Sequence, residues 1–125
     1  MSEPRLEVVH KLSELSYSPT GKVSVEESRV TVELTDDEVN IRVVLTPYQS
    51  LRVTTSDCFA LSGEMYVTPL TIMEVAQSPW LAELTAALAL VDESGNFMDR
   101  SRHFVIACED RFIEVAAWDF KVEAF

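Results

Sequence analysis

The chain is poor in the residues from which most cofactor and enzyme motifs are built. Its 125 residues include three glycines, Gly21, Gly63 and Gly95, too few and too scattered for a dinucleotide or phosphate loop. Gly21-Lys22 is followed by Val23 and has Ser16 where a Walker loop needs its first glycine, so that motif is excluded as well. There are two histidines, His10 and His103, and no Cys-x-x-Cys. Neither histidine has a second ligand at helical or hairpin spacing, so no metal and no cofactor is expected. The two cysteines, Cys58 and Cys108, lie in apolar strand-like runs and read as reduced, buried thiols rather than as a disulfide.

Positive charge is missing over a long stretch. Between Arg52 and Arg100 there is no Lys or Arg, while Asp57, Glu64, Glu74, Glu83, Asp92, Glu93 and Asp99 all fall there. The chain as a whole has 21 acidic and 10 basic residues, a formal net charge of -11. Such a field opposes phosphate backbones and anionic lipid, so neither nucleic acid nor a membrane surface is an expected partner, and it steers basic proteins inward. Long apolar runs are absent too, because Glu64, Glu74, Glu83 and Asp92 interrupt the most apolar third. The opening Met-Ser-Glu-Pro-Arg-Leu-Glu has no basic leader with an apolar run behind it. A soluble, cytoplasmic protein is predicted.

What is present is an ordinary core composition, 47% hydrophobic and 25% charged, which predicts one domain over residues 1–125. The clearest element is a helix over Ser78 to Val91. Ser78 can cap it, Pro79 suits its first position, and Trp80, Leu81, Leu84, Ala87, Leu88 and Val91 recur as one apolar stripe. Most of the rest alternates as strands do. Arg5 to Tyr17 reads as a strand, Ser18 to Gly21 as a turn, and Lys22 to Glu26 as a short strand. Val30, Val32 and Leu34 alternate, Thr35 to Glu38 turns the chain, and Val39, Ile41, Val43 and Leu45 alternate back as a hairpin. Pro47 ends that run, Leu51 to Leu61 supplies another strand, and Met65 to Gln77 fits either a strand or a first helical turn.

His103 to Cys108 and Phe112 to Trp118 flank Glu109-Asp110-Arg111 as a tight hairpin, and Trp118 to Ala124 alternates as a half-buried strand. The two hairpin strands are apolar at nearly every position, which predicts burial on both faces. The helix can cover one face. The other needs the same sheet curling round, or a second copy of the chain. The expected fold is therefore α+β, a curved, mostly antiparallel sheet of about six to seven strands with one main helix (residues 78–91) packed on one face.

The most reactive-looking cluster is Asp99-Arg100-Ser101-Arg102-His103. Ser101 is framed by arginines, not by the glycines of a nucleophile elbow. Arg100 and Arg102 could instead bind an anion or carboxylate bidentately, although alternation sets them opposite Asp99, Ser101 and His103. Glu114 interrupts an apolar run and either faces solvent at a strand edge or sits in a pocket with an arginine. The acidic pairs at Asp36-Asp37-Glu38, Asp92-Glu93 and Glu109-Asp110 read as solvated turns. No catalytic residue is assigned. The favoured function is a non-catalytic, acidic protein-interaction domain of immunity or adaptor type, forming a homodimer and binding a basic partner protein. The alternative, from another class, is a small-ligand (anion or carboxylate) binding protein or minor enzyme with Arg100, Arg102, His103 and Glu114 around one site.

Overall fold

A computed structural model describes residues 4–13, 15, 19–58, 67–92 and 96–125. Among these residues seven strands are formed: β1 (Arg5–Lys11), β2 (Thr20–Glu26), β3 (Arg29–Thr35), β4 (Asn40–Thr55), β5 (Thr71–Ala76), β6 (Arg102–Cys108) and β7 (Arg111–Ala124). One α-helix, α1 (Pro79–Ala89), and a 3₁₀ turn at Asn96–Arg100 lie between β5 and β6. The strands make a single open sheet in the order β1-β5-β6-β7-β4-β3-β2, every neighbouring pair antiparallel. The expected α+β fold with one helix is what the chain adopts.

Alternation decides what each face carries. Val30, Val32, Leu34, Ile41, Val43, Leu45, Ile72, Phe104, Ile106, Ile113 and Val115 all point into one buried cluster, with Leu12 and Leu15 from the β1–β2 connection. This is the inner face, and the open sheet curls over it. The Cys108 thiol on β6 donates to the Pro19 carbonyl (3.5 Å), and Arg111 Nη2 donates to the Gly21 carbonyl on β2 (3.0 Å). β7, β4 and β3 separate β6 from β2 in the sheet order, so these contacts cross the curl. The second copy of the chain is thus not needed to cover the apolar hairpin. On the outer face, Met73, Val75 and Val105 form a smaller cluster with Val67. Both strands of the β6–β7 hairpin are accordingly buried on both sides, from Phe104 to Ile106 and from Ile113 to Ala117.

Several expectations need correction. Pro47 does not end a strand: β4 runs through it for 16 residues. The reason lies in the neighbours. The β3–β4 ladder stops at the Val30–Leu45 pair, so Pro47 lies beyond β3, where no ladder on that side needs its N–H, and the Tyr48 N–H is taken by the Ser28 carbonyl of the β2–β3 turn (2.9 Å). Likewise Trp118 marks no break, since β7 is one strand of 14 residues. β1 stops at Lys11, and of the two alternatives left open for Met65 to Gln77, residues 71–76 take the strand. The expected strand ends at Tyr17 and Leu61, and the start at Met65, lie outside the described residues. Cys58 is exposed, in the turn after β4, whereas Cys108 is buried, and both thiols are free.

The helix is the largest revision. It starts as predicted, with Ser78 Oγ accepting from Leu81 N–H (3.2 Å) and Pro79 in the first turn. It then buries Trp80, while Leu81, Leu84 and Leu88 are half-buried and Ala87 is exposed. Leu90 and Val91, past its last full turn, are 87% and 85% exposed. The apolar stripe is therefore anchored at one end and open at the other.

Candidate functional site

Three adjacent strands and the start of α1 bring four polar side chains into one line on the outer face. Arg52 on β4 and Glu114 on β7 are direct cross-strand partners, and Val105 on β6 stands opposite Glu114 on its other side. His103, two residues before Val105, therefore shares that face and reaches Glu114 on the diagonal. Arg52 donates to Glu114 through both Nε (2.8 Å to Oε1) and Nη2 (3.0 Å to Oε2). His103 Nε2 lies 2.6 Å from Glu114 Oε2, and His103 Nδ1 lies 2.7 Å from Ser78 Oγ. Trp80 closes the site, its ring 4.9 Å from the His103 ring and under the Arg52 guanidinium at 4.3 Å.

The ends of this line set the direction of its hydrogen bonds. Leu81 N–H can only donate, and so can Arg52; the ionised Glu114 can only accept. Every group is used when Leu81 N–H donates to Ser78 Oγ, the Ser78 hydroxyl donates to His103 Nδ1, and His103 Nε2–H donates to Glu114. The first turn of α1 holds no acidic residue. The Glu114 carboxylate, relayed through His103 and Ser78, supplies the negative charge that a helix N-terminus favours. Burial alone would push the Glu114 carboxyl up, but the hydrogen bonds from His103 and Arg52 outweigh it and hold it below its ordinary value. Ser78→Ala removes the cap and leaves His103 Nδ1 without its donor. It is expected to cost about 1–2 kcal/mol in thermal or denaturant unfolding, and Ser78→Thr to recover most of it.

A serine, a histidine and a carboxylate in line invite comparison with a nucleophile triad, the more so because Ser78 joins a strand to a helix and follows Gln77 at φ 59°. Three observations oppose acyl transfer. The residue after the serine, whose N–H helps bind the oxyanion in such elbows, is Pro79, which has none. The Ser78 oxygen is committed to the helix cap. Ser78, His103 and Glu114 are 8%, 3% and 2% exposed beneath Trp80, so no carbonyl carbon can approach. The line holds a helix on a sheet.

Of the four residues predicted from sequence, the structure brings His103 and Glu114 together and sends the two arginines elsewhere. Arg102, one residue from His103, faces the other way: it binds Glu74 through Nε and Nη2 (3.1 and 2.9 Å), reaches Asp119 at 3.3 Å, and lies 4.7 Å over the Phe104 ring. Arg100, at the end of the 3₁₀ turn, stacks 4.4 Å over Trp118, whose Nε1 donates to the Phe97 carbonyl (3.0 Å). A cleft of about 180 Å³ between the β2–β3 turn, Val44, Thr46 and Lys121 includes none of the four. Sequence reasoning missed Arg52, because its pairing with Glu114 spans 62 residues and depends on strand register. Glu114 proved to be the pocketed rather than the edge carboxylate, since β7 is the central strand of the sheet. Among the described residues no three His, Cys, Asp or Glu side chains gather as a metal site, and no helix is long and apolar enough to cross a membrane. No family model, curated protein or solved structure matches this chain.

Proposed function

We propose that the chain is a non-catalytic protein-interaction domain of immunity or adaptor type, which presents the open end of α1 to a basic partner protein. The observation that carries this reading is the exposure of Leu90 and Val91, 87% and 85%, side by side at the end of a helix, with Phe97 beyond them at 46%. Single exposed apolar residues are ordinary, but two in succession at the end of a helix offer an apolar anchor to a partner. Its electrostatics select the partner. The last turn of α1 has no basic residue, a helix C-terminus carries partial negative charge, and Glu83 and Asp99 are exposed on the same two elements. A partner segment with an apolar anchor flanked by Lys or Arg complements all three features. A cytoplasmic setting agrees with the two free thiols.

The rival reading, an anion or carboxylate site, needs Arg100, Arg102, His103 and Glu114 around one cavity. They are divided among three environments, and Arg102 is already neutralised by Glu74. Capture with the full chain as bait is expected to retain a basic protein that salt releases. Leu90→Ser with Val91→Ser is expected to weaken that complex by about tenfold or more while leaving the melting temperature unchanged, because both side chains are exposed. Retention unaffected by the double substitution would sink this surface.

A further inference from the structure

We propose that the free edge of β2 pairs with β2 of a second copy of this chain, antiparallel and across a twofold axis through Ser24, joining the two sheets into one. Among the described strands β2 pairs with β3 alone, so its other edge is unpaired. The opposite edge of the sheet, β1, is blunted by a bulge between Val8 and His10. β2 has neither bulge nor proline: Arg111 takes the Gly21 carbonyl at its start, but the register runs unbroken from Thr20 to Glu26, and Val25 is 49% exposed.

The backbone of β2 points the right way. Glu27 and Ser28 form a two-residue loop closed by the Glu26–Arg29 pair, the position that exchanges hydrogen bonds in a hairpin of this length. Alternation from there directs Glu26, Ser24 and Lys22 at β3, and Val25, Val23 and Gly21 outward. The Gly21 carbonyl agrees, since it reaches across to Arg111. In a pairing centred on Ser24, Val23 stands opposite Val25 of the second copy and Val25 opposite Val23. These are the residues whose N–H and C=O groups face outward.

The side chains then match. The centring sets Lys22 opposite Glu26 of the second copy, and Glu26 opposite Lys22, on the outer face, with Val23 against Val25 on the inner one. Lys22 and Glu26 are both exposed, and among the described residues neither makes an ion pair, their cross-strand neighbours on β3 being Glu33 and Arg29. Within one strand they are about 13 Å apart, too far to pair with each other. Lys22 and Arg29 also balance Glu26 and Glu27, so this strand and its turn are locally neutral in a chain of net charge -11. A second copy can approach here without the repulsion it meets elsewhere.

Light scattering or sedimentation of the full chain at high micromolar concentration is expected to give twice the 14.1 kDa mass of one chain. Lys22→Glu and Glu26→Lys, each placing like charges opposite one another twice, are each expected to raise the dimer dissociation constant by about tenfold or more. Combining the two substitutions in one chain, or mixing the two single variants, is expected to restore association. Val25→Pro removes an outward donor and no β3 bond, so it is expected to give a monomer with unchanged strand content by circular dichroism. A wild-type monomer throughout, a dimer indifferent to Lys22→Glu and Val25→Pro, or a charge swap that fails to restore association would each overturn the proposal.

Discussion

Glu114→Gln is expected to destabilise the fold by about 3 kcal/mol and to lower the melting temperature by roughly 10 °C. Three donors converge on this carboxylate, His103 Nε2–H and two from Arg52, at 2% exposure. A glutamine brings an amide N–H₂ to a place built for acceptors. If the His103 proton moves to relieve that conflict, the Ser78 hydroxyl loses its own acceptor, so the cost passes along the line to the helix cap. The loss stays at the lower end for a buried pair because the Arg52 side chain is 47% exposed and recovers some hydration. The same residue gives a pH signature. Its folded pKa lies below the ordinary value, so its stabilisation is complete above the unfolded pKa, about 4.3, and is lost as pH falls through the folded one. Denaturant titrations of the wild type at falling pH should therefore steepen in loss below about pH 4.3, and those of Glu114→Gln should be flatter there. Parallel curves would mean that the carboxylate is not held as described.

The second large effect is expected at Gly21. A Cβ built on this residue falls 2.0 Å from Cys108 Sγ, 3.3 Å from Cys108 Cβ and 3.6 Å from Leu34 Cδ2. Cys108 is 1% exposed and its thiol is held by the Pro19 carbonyl, so it cannot swing clear. Gly21→Ala is expected to cost about 2–3 kcal/mol through overpacking. Cys108→Ala alone should cost about 1 kcal/mol for the lost sulfur, and the double variant should cost less than the sum, because the remaining contact is with the far less intrusive β-carbon. Strict additivity in denaturant unfolding would place β2 away from β6 and deny the curl of the sheet.

The sequence carried the local part of this structure clearly. Ser78-Pro79 announced a helix start, and the Val30–Leu34 and Val39–Leu45 alternation announced a hairpin whose turn the Asp36 carboxylate closes through Glu38 N–H and Val39 N–H (2.9 and 2.8 Å). The unbroken apolar character of Phe104–Cys108 foretold inner strands. Illegible were features set by partners distant in sequence. Pro47 reads as a breaker until it is known that β3 ends before reaching it. Val91 fits the helical stripe by spacing, yet among the described residues no element lies over it, because the sheet meets α1 through Trp80 near the opposite end. For the site, the two residues of opposite chemistry on adjacent strands, His103 and Glu114, were found, while Arg52 required the β4–β7 register. Arg100 and Arg102 were grouped with them by nearness along the chain. One is carried on a 3₁₀ turn, and alternation turns the other to the opposite face of β6.

The position of β7 bears on how the molecule comes into being. It is the seventh strand in chain order and the fourth of seven across the sheet, hydrogen-bonded to β6 on one side and to β4 on the other. A growing polypeptide can form the β2–β3–β4 meander early, and β1, β5 and β6 can meet, but these two flanks share no ladder until the last strand arrives. The two flanks of the sheet thus stay separate until β7 has been made, and the waiting edges of β4 and β6 are the ones a nascent chain must shield from its neighbours.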